Sequence, residues 1–101
     1  MRLVPSTLTT GVTRDTLANG LTLLVKDVPG APAVAVVTHV KTGYFHEPDE
    51  LAGISHVIEH MFFNGTPSRP DPEQISRDTK AHGGSLNAGT IYDRTSYYVV
   101  L

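Results

Sequence analysis

The pentapeptide His56-Val57-Ile58-Glu59-His60 constrains this chain more than any other stretch of its sequence. Residues on an α-helix advance by about 100° each, so side chains four positions apart lie nearly above one another. In a helix the two histidines therefore share a face, with Glu59 at its edge. Two imidazoles one turn apart can bind one zinc ion, and a carboxylate beside them can accept a proton from an attacking water. The spacing predicts a helix that carries the parts of a zinc hydrolase.

The residues around the motif favour the same helix. An apolar stripe of helical spacing accompanies it, and we expect this stripe to be buried on a core. The predicted helix runs from about residue 51 to residue 63 and ends at Asn64-Gly65 and Pro67, which suit a helix end. The stripe consists of Ile54, Ile58, Met61 and Phe62.

The order of the motif is also informative. The common metalloprotease helix has its glutamate directly after the first histidine, as H-E-x-x-H. Here the glutamate directly precedes the second histidine, which is the H-x-x-E-H arrangement of the inverzincins. The motif therefore predicts an inverted zinc site with His56 and His60 as metal ligands and Glu59 as the general base.

The composition of the chain excludes several other kinds of protein and site. A chain of 101 residues forms one domain at most, and its net charge of −2 provides no basic patch for nucleic acid. No apolar run approaches the roughly 20 residues of a membrane span. The absence of cysteine excludes disulfides and thiolate ligands. Met1 to Thr7 show no apolar signal-peptide core, and both a cytoplasmic and a periplasmic protein fit this composition.

The remaining patterns predict the fold class. Asn19-Gly20 separates two apolar runs and is typical of a hairpin. Residues 33–40 are nearly all apolar, as expected for a strand that is covered on both faces. Asp71 and Pro72 begin a second helix that ends near residue 82, and two strands follow, at 85–92 and 95–101. The order β-β-β-α-α-β-β predicts an α+β fold, a mostly antiparallel sheet with helices packed on one face.

Two segments together resemble the N-terminal part of the pitrilysin (insulinase) family of zinc peptidases, which includes the mitochondrial processing peptidases. They are Gly53 to Thr66, around the histidine motif, and Gly83 to Tyr98. The resemblance implies that zinc is bound by His56 and His60 and that Glu59 is the general base. It also implies that Asn87 and Ala88 lie on an edge strand that pairs with the main chain of a peptide substrate, a form of β-augmentation.

The resemblance also predicts what this chain lacks. A catalytic zinc site has three protein ligands and one open position. The third ligand of the family is a glutamate farther along the chain, and none of Glu47, Glu50 and Glu73 stands in the matching context. We therefore expect residues 1–101 to be the N-terminal part of a larger peptidase domain, truncated at its C-terminus. Its partner would be a second homologous domain or subunit, in a homo- or heterodimer, that closes over the peptide.

Two other functions compete with a zinc endopeptidase. The family includes partner subunits that have lost the zinc motif, so a non-catalytic peptide-binding or scaffold subunit is one alternative; the intact motif argues against it. A structural zinc domain is the other, but such sites usually have four ligands that include cysteine. The remaining histidines, His39, His46 and His82, do not share the helical spacing of the pair, and we expect them to lie outside the site.

Overall fold

The computed structural model describes residues 9–101, so the expectation about Met1 to Thr7 lies outside the described residues. The described residues divide into two compact units, one that ends at Pro32 and one that begins at Ala33. The strands and α-helices follow the predicted order, with two short 3₁₀ turns, Tyr44–His46 and Asp49–Leu51, before the first helix. No helix in this described range is long and apolar enough to cross a bilayer.

The first unit contains the predicted hairpin. Strand β1 (Val12–Thr16) pairs antiparallel with β2 (Thr22–Lys26), and Thr16 lies opposite Thr22. The side chain of Asn19 accepts a hydrogen bond from the Leu21 N–H at 3.0 Å. This local bond is the reason that asparagine favours such turns.

The second unit is a three-stranded antiparallel sheet with two helices. The strands are β3 (Ala35–Val40), β4 (Ser85–Thr90) and β5 (Thr95–Val100), in the order β3-β5-β4. Helix α1 (Ile54–Met61) packs against β4 and β5, and helix α2 (Gln74–Ala81) packs against β4. Along β4 the residues facing the helices are half-buried and the alternate residues are exposed. The α+β prediction is therefore confirmed.

Helix α2 has a defined start and a defined end, and its end leads directly into β4. At its start, Glu73 rather than the predicted Asp71 is the N-cap. Asp71 stabilises the turn before the helix, where its carboxylate accepts a hydrogen bond from the Glu73 N–H at 2.9 Å. At its end, the Gly84 N–H donates to the Thr79 carbonyl at 3.0 Å and the Gly83 N–H donates to the Lys80 carbonyl at 2.9 Å. These two bonds form a Schellman motif. The chain leaves this motif directly into β4 at Ser85.

The burial predicted for two apolar segments is wrong for the described residues. All six residues of β3 are exposed, and Ile58, Met61 and Phe62 of the helical stripe are 45%, 61% and 61% exposed. Strand β3 lies at the edge of the sheet, while the helices pack on β4 and β5. An apolar pattern identifies the side of an element that avoids water, but it does not supply the element that covers that side.

Gly43 lies where the segment leading to α1 meets the turn between β4 and β5. The Tyr44 N–H donates to the Ile91 carbonyl at 3.1 Å, and the Phe45 N–H donates to the Tyr92 carbonyl at 2.7 Å. A Cβ atom at Gly43 would lie 2.1 Å from the Ile91 carbonyl oxygen and 2.7 Å from the Arg94 nitrogen. Both contacts are with backbone, so no side chain can move to relieve them.

We predict that Gly43→Ala destabilises the protein by about 1–3 kcal/mol, the typical cost of overpacking, as measured by urea unfolding. Gly89→Ala is the matched control, because a Cβ at Gly89 would meet no atom within 4 Å. Equal stability of the two variants would contradict a close backbone contact at Gly43.

Candidate functional site

Helix α1 brings the two motif histidines together. Their Nε2 atoms lie 3.0 Å apart, and their ring centroids lie 4.7 Å apart with the planes tilted by 51°. Two nitrogen ligands on a tetrahedral zinc ion, each at about 2.0–2.1 Å, are separated by about 3.4 Å. Both side chains are exposed, so a metal ion and a substrate can reach them. The convergence of the two nitrogens fits two of the ligands of a zinc site.

Glu59 differs from the histidines in its surroundings. It is only 7% exposed, and its Oε2 atom accepts a hydrogen bond from the Thr90 hydroxyl at 2.5 Å. One carboxylate oxygen of Glu59 and one ring nitrogen from each of His56 and His60 lie within 4.8 Å of one another. Among residues 9–101 this is the one group of three or more potential metal-binding side chains of His, Cys, Asp or Glu.

A carboxylate caps the helix that carries the site. The N-cap, Gly53, has φ +92°, a left-handed conformation that glycine adopts without strain, and it has no side chain with which to cap. Glu47 takes that role from the preceding segment. Its Oε2 accepts from the Gly53 N–H at 2.6 Å and its Oε1 from the Ser55 N–H at 2.9 Å. These bonds, the Gly53 bond foremost, lower the pKa of Glu47.

Tyr97 lies on β5, where it contacts the end of helix α1 and senses the charge of Glu59. Its ring lies 4.8 Å from that of Phe62, centroid to centroid. Burial raises the pKa of the Tyr97 phenol, and the negative charge of Glu59 raises it further. The phenol therefore stays neutral beside the carboxylate.

Strand β4, which carries Asn87 and Ala88, lies at the edge of the sheet. Among the described strands its one neighbour is β5. The Ile91 N–H donates to the Arg94 carbonyl at 2.9 Å, in register with the pair Thr90–Thr95. Hydrogen-bonded and non-hydrogen-bonded pairs alternate along an antiparallel ladder. The backbone groups of Asn87 and Gly89 therefore point to β5, whereas those of Leu86, Ala88 and Thr90 point to the open edge.

The side chain of Asn87 forms a hydrogen bond with one of these edge groups. Its Oδ1 accepts a hydrogen bond from the Ala88 N–H at 2.8 Å. The N–H of Ala88 is thus held by an exposed side chain, which another acceptor can replace without disturbing the sheet.

The other histidines and glutamates have separate structural roles. His39 forms a 2.7 Å side-chain hydrogen bond with Ser96, as expected for a strand residue. His46 lies in a 3₁₀ turn, where its Nδ1 accepts a hydrogen bond from the Gly43 N–H at 3.2 Å. His82 is the C-cap of α2. Glu73 forms an exposed ion pair with Arg77 at 3.4 Å.

The sequence model of the insulinase family, peptidase family M16, matches residues 22–101 of this chain. The chain belongs to the insulinase family of peptidases. The match confirms the resemblance inferred from the two motif segments. It includes α1, with its three clustered side chains, and the edge strand β4.

Individual relatives agree with this assignment. The chain is 38% identical over 84 residues to the beta subunit of mitochondrial-processing peptidase from Dictyostelium discoideum, covering 83% of this chain and 18% of that protein. It is 37% identical over 87 residues to an uncharacterized zinc protease of Bacillus subtilis (strain 168), covering 86% of this chain and 21% of that protein. The chain therefore spans about a fifth of the length of these relatives.

A solved structure agrees with the fold. The crystal structure of pitrilysin matches with a TM-score of 0.77 and 30% identity, over 89% of this chain and 10% of that one. The two folds are thus alike over nearly the whole of the present chain.

The contact of Thr90 with Glu59 and the cap that Glu47 provides do not follow from the sequence pattern. Thr90 is 31 positions from Glu59, and no periodicity along the chain relates a strand residue to a helix residue at that distance. Glu47 lies outside the first turn of α1, and Asp49 and Glu50, which are nearer in sequence, form a separate 3₁₀ turn. Alternation along β4 does place Thr90 on the same face as Leu86 and Ala88, but the contact itself depends on how α1 packs.

We predict that Glu47 makes stability depend on pH in the acid range. The pKa of Glu47 is lower in the folded protein than in the unfolded chain. Its contribution to the free energy of unfolding is therefore complete above the unfolded pKa of about 4.3. It is lost as the pH falls through the lower folded pKa. Glu47→Gln should reduce stability at neutral pH and weaken this acid dependence, as measured by thermal unfolding from pH 7 to pH 3.

Glu50→Gln is the matched control for this experiment. It removes the same charge from the neighbouring turn and leaves both hydrogen bonds of Glu47 in place. An identical pH profile for the two variants would contradict a cap by Glu47.

Proposed function

We propose that this chain is part of a zinc-dependent endopeptidase and supplies most of its catalytic site. The observation that carries the proposal is the convergence of the His56 and His60 Nε2 atoms, 3.0 Å apart, beside the buried carboxylate of Glu59. A non-catalytic subunit of the same family would have no need of all three groups, and their convergence disfavours that alternative.

Each of the three residues has a definite role in the proposed reaction. His56 and His60 would hold the zinc ion, which when bound polarises a carbonyl group and acidifies water. Glu59 would accept a proton from the attacking water while the water oxygen bonds to the carbonyl carbon of the peptide. The same carboxyl group would then give that proton to the nitrogen as the carbon–nitrogen bond breaks, which leaves a carboxylic acid and an amine.

The substrate would be an extended peptide that adds to the open edge of β4. The Ala88 N–H points to this edge, and a peptide carbonyl would replace the Asn87 side chain as its acceptor. The released Asn87 amide would offer a donor and an acceptor to the peptide. Main-chain pairing binds peptides of many sequences, because every residue offers the same backbone groups.

The catalytic site would be completed by residues outside the described range. The cluster has two imidazoles, whereas a catalytic zinc site takes three protein ligands. We propose that residues 1–101 form the N-terminal part of a larger peptidase domain that contributes a third ligand, a glutamate, and that a second homologous domain or subunit closes over the peptide. The exposed apolar side chains of β3 and α1 support a larger domain, since such surfaces are normally covered.

We predict that two substitutions in the full-length protein separate the roles of the motif. Glu59→Gln keeps the size of the side chain and removes the proton acceptor, so cleavage should fall by about 10²–10⁴-fold while zinc remains bound. His60→Ala should instead lose the metal. Atomic absorption gives the zinc content, and a fluorogenic peptide gives the rate. Near-normal turnover by Glu59→Gln would overturn the role of Glu59.

We predict that Ala88→Pro weakens the binding of long peptides. Proline removes the N–H that points to the open edge, and an edge strand tolerates this loss. One hydrogen bond contributes about 1 kcal/mol, so KM should rise about fivefold with the zinc content unchanged. Ala88→Gly keeps the N–H and is the control. If the glycine variant lost as much affinity, the edge N–H would not be the binding group.

A further inference from the structure

The carboxylate of Glu59 is oriented by strand β4 rather than by its own helix. Glu59 is 7% exposed, and its Oε2 atom accepts the hydrogen bond from the Thr90 hydroxyl at 2.5 Å. No other side-chain hydrogen bond to this carboxylate is present among the described residues. Because a hydroxyl bond to one oxygen restricts rotation of the carboxylate, the direction in which the second oxygen points is also restricted.

The restricted orientation suits proton transfer. Oε2 accepts the Thr90 hydrogen bond, so Oε1 is the oxygen of this carboxylate without a side-chain partner among the described residues. The carboxylate is close enough to the two imidazoles to act at the same centre, within 4.8 Å. A general base must lie within hydrogen-bond reach of the proton that it removes, and small misplacements of a catalytic group cause large losses of rate.

We propose that Thr90 is a positioning residue for peptide hydrolysis, which holds Glu59 so that its free oxygen faces the attacking water. This inference rests on the function proposed above and assigns a further residue to the same site. Thr90 does not touch the substrate or the metal in this role and acts through Glu59.

The position of Thr90 on β4 also connects the base to substrate binding. Ala88 and Thr90 are two residues apart on the same strand, a separation of about 6.6–6.8 Å. Both direct their backbone groups to the open edge, where a peptide would add. The strand that would pair with the peptide is therefore the strand that orients the base, so one rigid element sets the distance between the bound peptide and the proton acceptor.

The test compares Thr90→Val with Thr90→Ser in the full-length zinc-loaded protein. Valine keeps the shape of threonine and removes the hydroxyl, whereas serine keeps the hydroxyl. We expect valine to lower kcat by about 10–100-fold, part of the contribution of a positioned base. KM should change by less than about threefold and zinc content should be unchanged. Serine should restore most of kcat. Thr90→Ala replaces valine if that variant does not fold.

Thr95→Val is the matched structural control. Thr95 lies opposite Thr90 in the ladder and is 4% exposed, but its hydroxyl donates to the Thr42 carbonyl at 2.9 Å, away from Glu59. Its substitution should lower the urea midpoint of unfolding and leave kcat within about twofold. An equal fall of kcat in the Thr90 and Thr95 variants would overturn the positioning role.

The double variant Glu59→Gln/Thr90→Val tests the coupling directly in two measurements. In the Glu59→Gln background, Thr90→Val should lower kcat no further, because the base that it positions is absent. In the metal-free protein, Thr90→Val should lower the urea midpoint more when Glu59 is present than when glutamine replaces it. Independent effects in both measurements would overturn the inference.

The outcomes separate this inference from the proposed function. If the wild-type protein cleaves no peptide, or if Glu59→Gln remains active, the proposed function fails. If the wild type and Glu59→Gln behave as expected while Thr90→Val keeps kcat within about twofold, or while serine fails to rescue, the positioning role of Thr90 fails alone.

Discussion

The hydrogen bond between Thr90 and Glu59 joins the two elements on which the site depends. Helix α1 carries the histidines and Glu59, and strand β4 carries the edge to which a peptide would add. Glu59 is a buried residue, and a buried carboxylate needs a hydrogen-bond partner, since an unpaired buried charge is strongly destabilising. The hydroxyl of Thr90 meets this requirement, and it thereby fixes Glu59 relative to the sheet. The histidines remain exposed on the accessible side of the same helix.

The segment before α1 provides the second constraint on the site. Gly43 allows the backbone to approach the β4–β5 turn, where Tyr44 and Phe45 bond to its carbonyls. Glu47 lies two residues after Phe45 and caps the first turn of α1 through two amides. The start of the helix is thus tied to the same end of the β4–β5 hairpin that holds Glu59. The anchor at Tyr44 and Phe45 and the cap by Glu47 both use backbone amides rather than a large apolar core.

Much of the apolar surface of the described residues has no cover. No large apolar side chain among them is buried, and Phe62 of the α1 stripe contacts the sheet at Tyr97. In this arrangement polar contacts, namely the carboxylate bonds of Glu47 and Glu59 and the strand ladders, define the geometry of the site. The apolar surface of α1 and β3 remains available for further contacts of the kind proposed for a larger peptidase domain.

The sequence by itself determined the elements and the residues of the central motif. Helical spacing brought His56 and His60 to one face, and the turn residues at Asn19-Gly20, Asp71 and Gly83-Gly84 marked where elements begin and end, because these signals act within a few residues. Tertiary structure decided the rest. The burial of Glu59, its bond with Thr90, the cap from Glu47 and the open side of β4 each join residues that are distant in sequence or depend on strand order. Periodicity describes one element at a time, so it identifies the faces of α1 and β4 but does not determine which atoms of those faces meet.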